Sequence, residues 1–168
     1  MEHRKPNRLA GYNYSQNGSY FITICSAKRE SLFGAIVGGG ILDAPSVQLS
    51  DYGSILSHRL QEMHETYPHI SVDKYIIMPN HVHFILSVHF PEPGAAARGT
   101  SRTPSPTSAI VPQFVSTLKR LANRTAGFSM FQRSYHDHII RNDKEYQMIW
   151  QYIDTNPSKW QADCFYTP

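Results

Sequence analysis

The sequence predicts an α+β domain of ferredoxin-like topology: an antiparallel sheet with helices on one face, extended by one C-terminal helix. Three observations carry this. The β-prone and amphipathic stretches follow the order strand, helix, strand, strand, helix, strand, which is that of the split βαβ arrangement. The chain has 168 residues, 40% hydrophobic and 17% charged, the size and composition of one globular domain with a real core. After the last strand a further apolar stripe at helical spacing appears, outside the six-element pattern.

The elements are read in order. Gly11 to Gly18 is turn-rich and leads into Ser19–Cys25, a run dense in β-branched and aromatic residues that reads as a strand. A weaker strand is expected over Leu32–Val37, ended by Gly38-Gly39-Gly40. Ser50 is a reasonable N-cap for a helix to about Tyr67, with Ile55, Leu56, Leu60 and Met63 at helical spacing. Two strands follow near His69–Met78 and His81–Val88, and the short Pro79-Asn80 join makes them a hairpin. Phe90–Ser108 is rich in Pro, Ala, Ser and Gly and reads as a flexible loop inside the single domain spanning residues 1–168. Val111, Phe114, Leu118 and Leu121 give a helix over Ile110–Ala126, and Arg133–Ile140 reads as a strand. The last helix spans about Asp143–Thr155 and ends at Asn156-Pro157, because the residue before proline disfavours the α conformation.

Composition narrows the function classes. No apolar run approaches the roughly 18 residues needed to cross a bilayer, and Met1–Pro6 has no signal-peptide core. Cys25 and Cys164 form neither a CxxC pair nor a disulfide framework, so a reducing cytoplasm is expected. The net charge of +3 is unevenly placed. Between Pro91 and Arg141 lie Arg98, Arg102, Lys119, Arg120, Arg124, Arg133 and Arg141 against only Glu92 and Asp137. Such asymmetry favours a polyanionic partner such as nucleic acid, the bland alternative being a solvated basic face.

His81-Val82-His83 is the most informative motif. On a strand, residues two apart share a face, so both imidazoles point the same way. Two adjacent neutral imidazoles supply two-thirds of a divalent-metal site. On the last helix, Tyr146, Ile149, Trp150 and Ile153 form the stripe that faces the core. Tyr152 lies on its flank, and Asn156 is one turn further on the same side, so both could reach one site. Tyrosine is a weak nucleophile unless assisted, its phenol having a pKa of about 10. Phosphodiester cleavage needs an in-line nucleophile and neutralisation of charge on the phosphate oxygens, which a divalent cation provides. Two His and one amide oxygen suit magnesium or manganese and leave positions open for phosphate and water.

His81-Val82-His83 after Met78-Pro79-Asn80, together with Tyr152-Ile-Asp-Thr-Asn156-Pro157 on a late helix, resembles the HUH single-tyrosine transposases. The REP-associated tyrosine transposases, a branch domesticated in bacteria, are the closer likeness. Gly11–Cys25 and Phe131–Asn142 carry the resemblance too, which extends over Arg8 to Trp160 apart from the Pro/Ala/Ser tract. It implies an RRM-like sheet and a metal-dependent endonuclease and strand transferase acting on single-stranded DNA with hairpin-forming palindromic repeats. It implies metal ligation by His81, His83 and Asn156, and attack by Tyr152 giving a 5′-phosphotyrosine. The metal would be Mg²⁺ or Mn²⁺, with no nucleotide cofactor, because energy is conserved in the covalent bond. The enzyme would be bacterial, cytoplasmic and nucleoid-associated, working as a monomer or homodimer. Mobile relatives carry glutamine at the position of Asn156; asparagine matches the REP-associated branch.

Other residues admit competing readings. His136-Asp137-His138 is a second HxH, and His136 and Asp137 are candidates for supporting the metal ligands or contacting DNA, or simply for a polar strand surface. Lys119, Arg120 and Arg124 are expected on the polar side of their helix, where they and Arg133 could track a DNA backbone. Tyr12, Tyr14, Tyr20 and Tyr135 could stack on unpaired bases or pack in the core. Two alternatives to the tyrosine nuclease stay open: a non-catalytic RRM-like nucleic-acid-binding module, and a metal-dependent phosphodiesterase with a water nucleophile.

Overall fold

The computed structural model describes residues 12–40, 43–91 and 109–166. Arg98, Arg102 and all but the first two residues of the loop predicted over 90–108 lie outside the described residues. The central sheet has four strands in the order β4-β5-β1-β6, every neighbour antiparallel. Its members are β1 (Gly18–Cys25), β4 (Ile70–Ile77), β5 (His81–Val88) and β6 (His136–Ile140). Helix α1 (Asp51–Thr66) connects β1 to β4, α2 (Ile110–Ala126) connects β5 to β6, and α3 (Asp143–Thr155) follows β6. A separate ribbon pairs β2 (Gly34–Val37) with β3 (Ser46–Leu49).

Local chemistry sets the helix ends. Ser50 Oγ accepts from Gly53 N (3.1 Å) and donates to the Leu32 carbonyl (2.7 Å), fixing where α1 starts and what precedes it. A β-carbon at Gly53 would lie 2.0 Å from the Phe33 carbonyl oxygen, so only glycine lets α1 approach that closely. Gly127, at φ +82°, closes α2 in the left-handed conformation. Asn142 Oδ1 accepts from Glu145 N (2.9 Å) to open α3.

Alternation along β1 and β5 sorts side chains to two sides of the sheet. Tyr20, Ile22, Ile24, Val82, Phe84 and Leu86 pack with α1 and α2 in the main core, all fully buried. Phe21, Ile76 and Ile85 form a smaller cluster with Ile149, Trp150 and Ile153 of α3. The two connecting helices therefore share one face, and α3 covers the other. β5 lies between them with all eight residues buried.

A β-bulge interrupts β4 between Val72 and Lys74. The extra residue lets two consecutive side chains address α3. Asp73 accepts hydrogen bonds from Ser71, Ser87 and the Tyr146 hydroxyl. Lys74 pairs with Asp154 and lies 4.8 Å from the centre of the Trp150 ring. The Tyr146 phenol is pushed up to about 12, by burial first and then by its bond to Asp73.

Several expectations need correction. The strand predicted over Leu32–Val37 begins at Gly34, because the two residues before it bond elsewhere. The Leu32 carbonyl accepts from the Ser50 hydroxyl, and Phe33 N donates to the Pro79 carbonyl. Its partner β3 is absent from the predicted elements: four residues with two apolar side chains give too short a pattern to stand out. The strand predicted over Arg133–Ile140 begins at His136, the preceding residues being held by Lys119. Beyond Asn156 the chain continues as a 3₁₀ turn, Pro157–Ala162, which no sequence pattern marks.

Candidate active site

β5 and α3 bring the principal candidates together. Thr23 and Cys25 of β1 stand opposite His83 and His81 of β5. Both imidazoles are buried on the α3 side of the sheet, with ring centres 4.4 Å apart. The Tyr152 hydroxyl lies 3.3 Å from His83 Nε2, and its ring stands edge-on to Phe21 and His83. Asn156 is buried one turn beyond Tyr152, at the end of α3.

Neighbouring groups fix how each ligand atom presents itself. Asn80 Nδ2 donates to the carbonyls of Arg29 (3.1 Å) and Phe165 (2.8 Å), which turns Asn80 Oδ1 toward His81. That oxygen accepts from His81 Nδ1–H at 2.8 Å, so Nε2 is left as the lone-pair nitrogen. His83 Nδ1 is 2.8 Å from Thr23 Oγ1, which directs its Nε2 into the same space. Burial pushes His81 down to about 4 and His83 well below the ordinary histidine range, the latter helped by its neighbour His81. Both rings are neutral near pH 7, as ligation requires.

A residue unread in the sequence completes the group. The 3₁₀ turn returns Asp163 to the site, where its Oδ2 accepts from Tyr152 (3.1 Å) and from Asn156 Nδ2 (2.9 Å). The ligand atoms of His81, His83 and Asp163 all lie within 4.8 Å of one another. His81 Nε2 and Asn156 Oδ1 are buried without a hydrogen-bond partner among the described residues. Buried, unsatisfied lone pairs are unfavourable unless something electropositive meets them. Two imidazole nitrogens and a carboxylate could hold a divalent cation, with the Asn156 amide in contact with that carboxylate through Nδ2. The phenol of Tyr152 is pushed up, first by burial and then by the Asp163 charge, so the resting hydroxyl is protonated.

The remaining candidates divide. His136 is exposed on the site side of β6, its ring 6.2 Å from Phe165, whose own ring lies 4.7 Å from His81. Asp137 pairs with Ile22 and so faces the α1/α2 side, away from the histidines. Lys119 is half-buried, not on an open polar face. Its ammonium donates to the carbonyls of Gln132 and Ser134, both at 2.9 Å, and burial lowers it to about 8. Arg120, Arg124 and Arg133 are exposed, and none of them is among the residues that contact the two histidines. Tyr14, Tyr20 and Tyr135 are buried, which removes them as stacking surfaces, and Tyr12 packs edge-on to Tyr14. Asp163, Asn80 and Thr23 escape sequence reasoning. For Thr23 and Asn80 a signal exists: one lies on the first strand, the other next to His81.

No family model matches the chain. An uncharacterized protein of Haemophilus influenzae (strain Rd) is 33% identical over 99% of this chain and 94% of its own length. Among solved structures, a REP-associated tyrosine transposase bound to a REP hairpin superposes with a TM-score of 0.58 at 20% identity, covering 95% of this chain and 73% of that one. A transposase candidate from Deinococcus radiodurans R1 gives a TM-score of 0.46 at 16% identity over 88% of this chain and 97% of its own. Among the described residues no helix is long and apolar enough to cross a membrane.

Proposed function

Since the chain belongs to one protein family with the Haemophilus influenzae sequence and shares its fold with a hairpin-bound REP-associated tyrosine transposase, we propose that it is a metal-dependent single-stranded DNA endonuclease and strand transferase. The observation that carries the reading is the Tyr152 hydroxyl, 3.3 Å from His83 Nε2 and 3.1 Å from Asp163, with Asn156 Oδ1, which has no hydrogen-bond partner among the described residues, one turn away. In this reading Tyr152 is the nucleophile, and its direct contacts with His83 and Asp163 support a cation held beside it. The sheet order, with crossover helices after the first and third of its strands, supports a ferredoxin-like ancestry.

On this reading His81, His83 and Asn156 would hold Mg²⁺ or Mn²⁺, with Asp163 available as a further ligand. When bound, the cation would supply neutralisation of the charge that develops on the phosphate. Tyr152 attacks the phosphorus, the bond to the 3′ oxygen breaks, and the leaving 3′ oxygen takes up a proton from solvent, balancing the phenolic proton released. The phenolic proton has Asp163 Oδ2 as its nearest carboxylate acceptor. The product is a 5′-phosphotyrosine, and attack by a 3′-hydroxyl on it restores a phosphodiester and the phenol. No nucleotide cofactor enters. Asn80 and Thr23 hold the two imidazoles in the ligating orientation throughout.

The test uses labelled single-stranded oligonucleotides carrying the palindromic repeats that flank the gene, with Mg²⁺ or Mn²⁺. A denaturation-resistant adduct is expected, and Tyr152→Phe abolishes it, a loss of at least about a thousandfold. His81→Ala removes metal-dependent cleavage and leaves hairpin binding. Full cleavage by Tyr152→Phe would overturn the assignment, and cleavage without an adduct would place a water molecule in the nucleophile's role.

A further inference from the structure

Away from the histidines, the last two turns of α2 and the turn after it enclose an open groove of about 640 Å³. Arg120, Asn123, Arg124 and Phe128 line it. Phe128 is 43% exposed, one of two large aromatic residues exposed among the described residues. Its ring is held edge-on by Tyr52 of α1, with centroids 5.1 Å apart at 88°. Asn123 Oδ1 accepts from Met130 N (2.8 Å), which fixes the turn that presents the ring. Arg120 and Arg124 are exposed and have no ion pair among the described residues. From Ala109 to Tyr135 the chain contains no acidic residue.

The groove is continuous with the segment that leads to the site. Ala27 N donates to the Met130 carbonyl (2.8 Å) and Gln132 N to that of Cys25 (3.0 Å), so residues 130–132 run beside the end of β1. Cys25 is the register partner of His81. Lys119 ties Gln132 and Ser134 to α2, and the exposed Arg133 lies between them. The next exposed side chain on the site face is His136, beside Phe165. Arg133 thus stands on the stretch of chain between the groove and the edge of the histidine cluster.

We propose that this groove binds unpaired nucleotides of the DNA strand that enters or leaves the site, with Phe128 stacking on a base and Arg120 and Arg124 on the phosphates. The inference rests on the nuclease reading above. An exposed ring favours unpaired bases, since a duplex stem offers no free base face along its length. Charge complementarity favours a nucleic acid over a protein segment, there being two arginines and no carboxylate on the groove wall.

Fluorescence anisotropy with a labelled hairpin, blunt or carrying a flank of about eight unpaired nucleotides, tests this. Wild-type protein binds the flanked hairpin more tightly. Phe128→Ala weakens binding of the flanked form by about tenfold and leaves the blunt form unchanged. Phe128→Tyr restores most of the difference, and Phe128→Trp gives an indole whose emission is quenched by the flank. Arg120→Ala with Arg124→Ala lowers the slope of log affinity against log salt by about 0.7 for each phosphate no longer neutralised. Equal binding of the two hairpins by wild type, or equal weakening of both by Phe128→Ala, overturns the proposal, as does absence of DNA binding. Flank-dependent binding without a covalent adduct leaves the groove standing and removes the nuclease reading; an adduct with no flank dependence does the reverse.

Discussion

On β1, Tyr20, Ile22 and Ile24 turn toward α1 and α2, while Ser19, Phe21 and Thr23 turn toward α3. The same alternation splits β5 into Val82, Phe84 and Leu86 on one side and His81, His83, Ile85 and Ser87 on the other. One side is close-packed hydrocarbon and holds by shape and area. The other is held by directed contacts: Thr23 to His83, Asn80 to His81, Ser19 to Ser87 at 2.8 Å, and the Asp73 hub. The packed core and the candidate site are drawn from alternate residues of the same strands, so a substitution's consequence follows from its parity.

That contrast is open to attack at descending magnitudes. Phe84→Ala, on the packed side, is expected to cost about 3–5 kcal/mol in chemical denaturation, and any loss of cation binding should follow the unfolded fraction. A smaller loss of stability with a larger loss of cation binding would show that the two sides are not separable. Thr23→Val, on the other side, is nearly isosteric and should weaken Mn²⁺ binding by about 10–100-fold in calorimetric titration with the fold retained. Thr23→Ser should recover most of it. If Thr23→Val binds Mn²⁺ as wild type does, the hydroxyl does not orient His83.

The mildest lever is pH. The folded state holds His81 at about 4, and His83 is also depressed, whereas the unfolded chain takes up these protons near 6.5. The unfolded state therefore binds more protons below that value, and folding stability falls as pH drops from about 6.5 toward 4. The slope is at most about 1.4 kcal/mol per pH unit for each ring. Melting curves between neutral and mildly acidic pH should show the decline in cation-free protein. A variant with both imidazoles replaced by glutamine should flatten it; persistence of the full slope would place the titration elsewhere.

Much of the framework is legible because its signals are local. The end of α2 follows from Gly127 and the start of α3 from Asn142, each acting on its own turn, whereas Asn156 keeps an α-helical backbone despite the proline after it, and the chain passes directly into the 3₁₀ turn. Shared parity puts His81 and His83 together, and helical spacing puts Tyr152 beside Asn156. Parity also places Asp137 opposite His136 and removes it from the site. Lys119 defies its expected place because its position borders the apolar stripe, and a long stem allows its ammonium to reach inward carbonyls. Asp163 lies beyond local signals altogether. Only the path of a 3₁₀ turn returns it to Tyr152, and nothing in Gln161-Ala162-Asp163 encodes that return by itself.

The bulge at Asp73 has a consequence apart from chemistry. β4 is an outer strand of the sheet, and an outer strand with a regular, unpaired row of amides and carbonyls invites a second chain to add itself. The extra residue breaks that row near its middle, and the charged pair Asp73 and Lys74 stands at the break. An uninterrupted β4 would lose the grip on α3 and expose a clean border for self-association. Straightening this strand would thus replace a guarded margin with an aggregation-prone one.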